Sequence, residues 1–289
     1  MKKNLIVRTI TGLLFVLVLV SCIVFDRVSF ILLFATITAL SVWEFVTIVN
    51  KSLNIQVNRL ITTVAGVYLF LAVAVFNQGI TGSEIFIPYL VSIMYILISG
   101  LYVNREKSIY NWAFSMMAQL YVALPFAMLS PLSFFPGYAE GVGNTIIYSP
   151  ILTLSVFIFL WVSDSGAYLI GSALGKHRLF PSVSPNKSWE GSIGGGVFAL
   201  VASQIIAMYS KDLCSSNDVI NHLEWAGMSI VVVLFGTWGD LVESLLKRRL
   251  GIKDSGKILP GHGGMLDRFD SSMMAIPATL VYIYTLQNF

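Results

Sequence analysis

The stretch from 240 to 271 reads Asp240-Leu-Val-Glu243-Ser244-Leu-Leu-Lys247-Arg248-Arg249-Leu-Gly251-Ile-Lys253-Asp254-Ser-Gly-Lys257-Ile-Leu-Pro260-Gly261-His262-Gly263-Gly264-Met-Leu-Asp267-Arg268-Phe-Asp270-Ser271. It holds eleven formal charges in a chain that is 56% hydrophobic and only 11% charged. Soluble domains carry roughly a quarter charged residues, so the remainder of this chain is composed for lipid rather than water. The mean hydropathy of +0.79 agrees. In lipid the backbone finds no hydrogen-bond partner outside itself, which leaves helices or closed barrels as spanning structures. The expectation is an all-α, polytopic integral membrane protein. At about 20 residues per span, 289 residues leave room for eight to ten helices and no sizeable soluble domain.

Working outward from that stretch, the apolar runs predict about nine transmembrane helices, near 9–25, 28–49, 60–76, 85–103, 111–130, 147–170, 190–209, 225–244 and 271–287. With the N-terminus in the cytoplasm, 16 of the 18 Lys and Arg residues fall inside, leaving Arg27 and Lys211 outside. This asymmetry supports the odd helix count and puts 240–271 on the cytoplasmic side. The run ending Leu19-Val20-Ser21-Cys22 resembles a lipoprotein cleavage box, yet it continues through Phe25, which predicts an uncleaved first helix. Cys22 and Cys214 have no metal-ligand spacing. The composition divides softly near residue 145. Residues 1–145 read as scaffold helices facing lipid, and 146–289 as the region that carries polar groups inside helix-length runs.

Polar residues in such runs need a reason. Glu44 reads as an interfacial acid near the end of the second helix, with a supporting role in a site left open. Asp164, in Ser163-Asp164-Ser165-Gly166-Ala167-Tyr168, costs about 2.5–3.5 kcal/mol to insert and is expected to face a cavity, a cation or a metal. In Ser184-Pro185-Asn186-Lys187-Ser188-Trp189-Glu190-Gly191, Pro185 breaks the chain. Lys187 and Ser188 then stand near a helix N-terminus, where free amides and the helix dipole favour phosphate. On the eighth helix, Asp240, Glu243 and Lys247 lie at i, i+3 and i+7, on one face. Asp267 and Asp270 are again three apart, after a glycine turn. Oxygen ligands on two helices beside such a turn suit a hard cation such as Mg2+ holding phosphate oxygens. Zinc lacks a ligand set, since His262 has no partner at zinc spacing and His177 and His222 lie elsewhere. Gly251 to Lys257 spaces like a P-loop, but Ile258 stands where a Ser or Thr is required and no strand precedes it.

The pattern from Ser244 to Asp270, S-x-x-K-R-x-x-x-x-K-D-x-x-x-x-x-P-x-H-G-G-x-x-D-R-x-D, resembles the signature of the phosphatidate cytidylyltransferase (CDP-diacylglycerol synthase) family. The blocks at 163–168 and 184–191 resemble it too, and the N-terminal half does so in hydropathy alone. Asn186 and Ser188 depart from it, where a small residue and Thr are expected; Ser keeps the hydroxyl. The resemblance implies condensation of CTP with phosphatidic acid to CDP-diacylglycerol and pyrophosphate. It implies Asp240 and Asp267 as acids holding Mg2+, as one or two cations, with Asp164, Glu243 and Asp270 in support. Lys247 and His262 would act at the reacting phosphates, His262 by protonating the leaving pyrophosphate or by orienting the glycine turn. Ser184, Lys187, Ser188, Arg248, Lys253, Gly263, Gly264 and Arg268 would bind substrate. The expected setting is a cell (inner) membrane with the site on its cytoplasmic side, among membrane lipids. Nothing calls for nucleic acid, and oligomeric state stays open, a homodimer included. The alternative is a transporter of an anionic substrate, which usually shows repeated halves; no second copy of 240–271 is present.

Overall fold

The computed structural model describes residues 2–102, 105–139, 143–210, 221–256, 258 and 263–288. The described residues form α1 (Lys2–Phe25), α2 (Arg27–Leu53), α3 (Arg59–Asn77), α4 (Ile87–Ser99), α5 (Ser108–Met117), α6 (Leu124–Ala127), α7 (Ile151–Leu174), α8 (Trp189–Ser210), α9 (His222–Arg249) and α10 (Ser272–Asn288). A π-turn over Ala118–Ala123 joins α5 to α6 into one rod. Pro125, just beyond it, has no amide hydrogen to give and its ring crowds the carbonyl one turn back, which accounts for the widened turn.

The protein is all-α in class, and the described helices fall where the hydropathy puts them. Five, α2, α3, α7, α8 and α9, are long and apolar enough to cross a membrane. Thr9–Phe25, Ser83–Ser99 and Ser272–Leu286 are shorter apolar helical stretches. Boundaries follow local chemistry. Asp26 and Ser29 form a reciprocal capping box at the start of α2, and Asn54 takes a left-handed φ of 52° at its end. Asn58 caps α3. Large apolar side chains such as Leu13, Leu32, Val91, Ile98, Ile193 and Val201 point outward, as lipid-facing residues do.

The chain divides into two compact units. The first comprises 1–131 and 247–269. Its core is aromatic: Phe30 and Phe34 lie 5.0 Å apart, Phe34 packs on Phe126, and Phe269 meets both Phe126 and Phe15 at 5.3 and 5.8 Å. Phe269 thereby anchors the charged stretch among the N-terminal helices.

The second unit comprises 132–246 and 270–289. It opens with a hairpin, β1 (Phe134–Ala139) paired antiparallel with β2 (Gly143–Tyr148). α7 and α8 are connected by a second short hairpin, β3 (Arg178–Phe180) with β4 (Ser184–Ser188). α8 buries Gly191, Gly195, Ala199, Ser203 and Ala207, every fourth residue. A Cβ at Gly195 would lie 2.5 Å from the Ser163 carbonyl oxygen, and one at Gly191 would lie 2.9 Å from that of Ala167. Small residues let the two backbones touch, the usual way helices associate where lipid removes the hydrophobic drive.

Candidate functional site

In the second unit the motif from 184 to 191 folds as β4 running into α8. The Ser188 hydroxyl, buried at 4% exposure, accepts from the Gly191 amide at 3.2 Å and caps the helix. Glu190 turns back to accept from the amides of Lys176 and His177, each at 3.2 Å, and its carboxylate lies 2.6 Å from the His177 ring. It thus holds the end of α7 against the start of α8, a job the sequence did not reveal. Lys187, the last but one residue of β4, forms an ion pair with Asp240 of α9. The second Asp240 oxygen accepts from Ser244 at 3.1 Å. Asp164 on α7 feels the charges of both Lys187 and Asp240. Lys187 of β4 and Asp240 of α9 therefore meet, with Asp164 of α7 within range of both charges. Ser184 lies at the other end of β4, opposite Phe180. Glu243 is fully buried on α9, and Asp270 accepts from the Ser271 amide at the start of α10.

In the first unit Asp267 is the centre. Its Oδ1 accepts from Lys247 Nζ at 2.8 Å. Its Oδ2 accepts from the Ser255 amide at 2.8 Å, the Gly264 amide at 2.9 Å and the Ser255 hydroxyl at 3.0 Å. Burial alone would raise its pKa, but the Lys247 contact and the two amides outweigh that and hold it below the usual carboxylate value. Gly263 has φ +83°, a conformation glycine adopts without strain, and it brings the following amide to Asp267. Glu44 of α2 completes the cluster, accepting from the Leu266 amide at 3.0 Å and the Ser255 hydroxyl at 3.2 Å. It does not snorkel outward; it is 6% exposed and paired with the signature segment. Arg248, Lys253 and Arg268 are exposed. His262 lies outside the described residues.

The residues can be tested against a hard divalent cation. Among the described residues no three His, Cys, Asp or Glu side chains gather as a metal-binding group. Mg2+ commonly takes one or two carboxylates and draws its other oxygens from water and substrate phosphates, so Asp240 with Asp164 near it is a fitting donor set. Asp267 is less open, because three donors occupy one of its two oxygens.

Long apolar helices, joined by short connections, define a multi-pass membrane protein. The chain belongs to the cytidylyltransferase family, whose model it matches over residues 6–286. It is 34% identical over 278 residues to the phosphatidate cytidylyltransferase of Staphylococcus haemolyticus, covering 94% of this chain and 96% of that one. It is 34% identical over 285 residues to that of Staphylococcus aureus strain COL, covering 98% and 99% of the two chains. With that of Haemophilus influenzae it shares 33% identity over 271 residues, 90% and 91% of the respective lengths. The protein is a nucleotidyltransferase, and the transporter alternative finds no support.

Proposed function

We propose that the protein joins CTP to phosphatidic acid, releasing pyrophosphate and forming CDP-diacylglycerol for phospholipid synthesis. The observation that carries this reading is end-to-end similarity to proteins named phosphatidate cytidylyltransferase, covering at least 90% of either chain in the three comparisons above. In the reaction a non-bridging oxygen of the lipid phosphate attacks the α-phosphorus of CTP. The bond from that phosphorus to the β-phosphate oxygen breaks, and pyrophosphate leaves with the electron pair. The attacking phosphate is already ionised, so no general base is required; positioning and charge neutralisation are what the protein must supply.

The side chains suit that demand. Lys187 stands just before the first turn of α8, where free amides add to its positive field, and it is held by Asp240. Lys247 is held in the same way by Asp267. Each lysine is oriented by an acid, and a lysine ammonium carries three donors with which to meet phosphate oxygens. Arg248, Lys253 and Arg268, being exposed, are free to meet nucleotide or lipid phosphate. Asp240 and Asp164 are the residues that would hold Mg2+. When bound, Mg2+ supplies neutralisation of phosphate charge in the transition state. We place the reacting side at the cytoplasmic face of a bacterial inner membrane, where water-soluble CTP and a lipid phosphate meet.

The test is product formation from CTP and phosphatidic acid by detergent-purified protein, with and without Mg2+, in wild type and Asp240→Asn. We expect Mg2+-dependent CDP-diacylglycerol, reduced at least about 100-fold by Asp240→Asn in protein that remains folded. Folded wild-type protein that forms no product would refute the reading.

A further inference from the structure

Glu44 belongs to none of the charged motifs. It lies 211 residues before Ser255 and 222 before Leu266, and yet its Oε2 accepts from both. Ser255 is shared, since its hydroxyl oxygen is 3.2 Å from Glu44 and 3.0 Å from Asp267. One hydroxyl carries one proton, so Ser255 donates to a single carboxylate at a time, while its amide stays committed to Asp267. Glu44 and Asp267 therefore meet at Ser255, Glu44 reaching on to Leu266 and Asp267 to Gly264. Gly256 and Gly264 leave the space the Glu44 carboxylate fills; a Cβ at Gly264 would come within 2.5 Å of Oε2. The other oxygen, Oε1, is buried without a hydrogen-bond partner among the described residues.

From this geometry we infer that Glu44 is a positioning residue for the transfer reaction, a latch from α2 that holds Ser255 and Leu266 and so sets the alignment of Asp267 and Lys247. The inference rests on the proposed reaction for its kinetic consequence, and on contacts alone for its structural one. The latch works by length and acceptor geometry rather than by charge. Among the described residues both of its hydrogen bonds fall on Oε2, and Oε1 makes none. An amide of equal length presents the same acceptor, whereas a carboxylate one methylene shorter falls short of Leu266. Misplacement of catalytic groups by about 1 Å can cost about 100-fold in rate.

The experiment compares Glu44→Gln, Glu44→Asp and Glu44→Ala in the full chain. For kcat/KM with CTP and phosphatidic acid, we expect Gln within about threefold of wild type and both Asp and Ala lower by about 10- to 100-fold. In parallel, hydrogen exchange at Leu266 in detergent should speed up at least about tenfold in Asp and Ala but not in Gln. An active Asp variant with an inactive Gln variant would overturn the latch in favour of a charge role. Wild-type kinetics in all three, with only a lower unfolding temperature, would reduce Glu44 to packing and overturn it as well. Unchanged exchange in Ala would do the same. Because exchange needs no substrate, it judges Glu44 even if wild type turns over neither CTP nor phosphatidic acid, an outcome that would count against the proposed reaction alone.

Discussion

Asp267 and Asp240 stand in equivalent places in the sequence argument but not in their surroundings. Asp240 is occupied by one lysine and one hydroxyl, and it keeps lone pairs for a ligand. Asp267 takes four donors, three of them on one oxygen, so much of its work is to shape the glycine turn. That arrangement has a pH signature. The folded pKa of Asp267 is lowered, so its contribution to stability is fully present above the unfolded value of about 3.9 and is lost as pH falls through the folded one. We expect the thermal unfolding midpoint in detergent to drop as pH falls below about 4. In Asp267→Asn the drop should be shallower, since the group no longer titrates; a drop of unchanged steepness would assign the effect to other carboxylates. The same residue-scale contrast explains what the sequence concealed. Glu44 has its partners more than 200 residues away, and no local spacing or periodicity can report such a pairing.

At the scale of elements, hydropathy was sufficient for the helices because lipid allows so few alternatives to them. The hairpins were a different matter. Ser184 to Ser188 carries a proline and a lysine and reads as a basic loop, since two short strands bury too little apolar surface to leave a periodic signal. The glycines of α8 were visible as a pattern, but only the packing divides them by role. Gly195 lies against the Ser163 carbonyl, a backbone atom that cannot swing aside, whereas a Cβ on Gly196 would meet nothing within 4 Å. Gly195→Val is therefore expected to destabilise the protein by about 1–3 kcal/mol or more through overpacking. Gly196→Ala should be neutral or stabilise by about 0.4–1 kcal/mol, because the substitution restricts the unfolded chain in a helix that alanine fits. Unfolding midpoints of the two purified variants check this, and equal tolerance at both positions would mean that the α7–α8 contact is looser than these distances.

For the whole molecule, the open physical question is which side of the membrane holds the charged stretch. We propose the orientation that the cation distribution favours. An inside N-terminus and successive crossings bring Lys51, Arg59, Arg105, Lys107, Lys176, Arg178 and Lys187 to the same side as Lys247 to Arg268, and cytoplasmic loops retain such residues. The chemistry proposed points the same way, since CTP is a cytoplasmic solute. The two arguments are independent, which makes a topology measurement informative for both. In a background with Cys22 and Cys214 replaced by Ser, Ser83→Cys lies between α3 and α4 and is expected to react with a membrane-impermeant thiol reagent added to intact cells. Lys253→Cys, exposed in the signature stretch, should react only after permeabilisation. Labelling of Lys253→Cys but not of Ser83→Cys in intact cells would invert the orientation and set the chain against the positive-inside bias. Should both positions label from outside, the number of crossings between residues 83 and 253 would have to be even rather than odd, and one of the shorter apolar helices would have to lie in the membrane without spanning it.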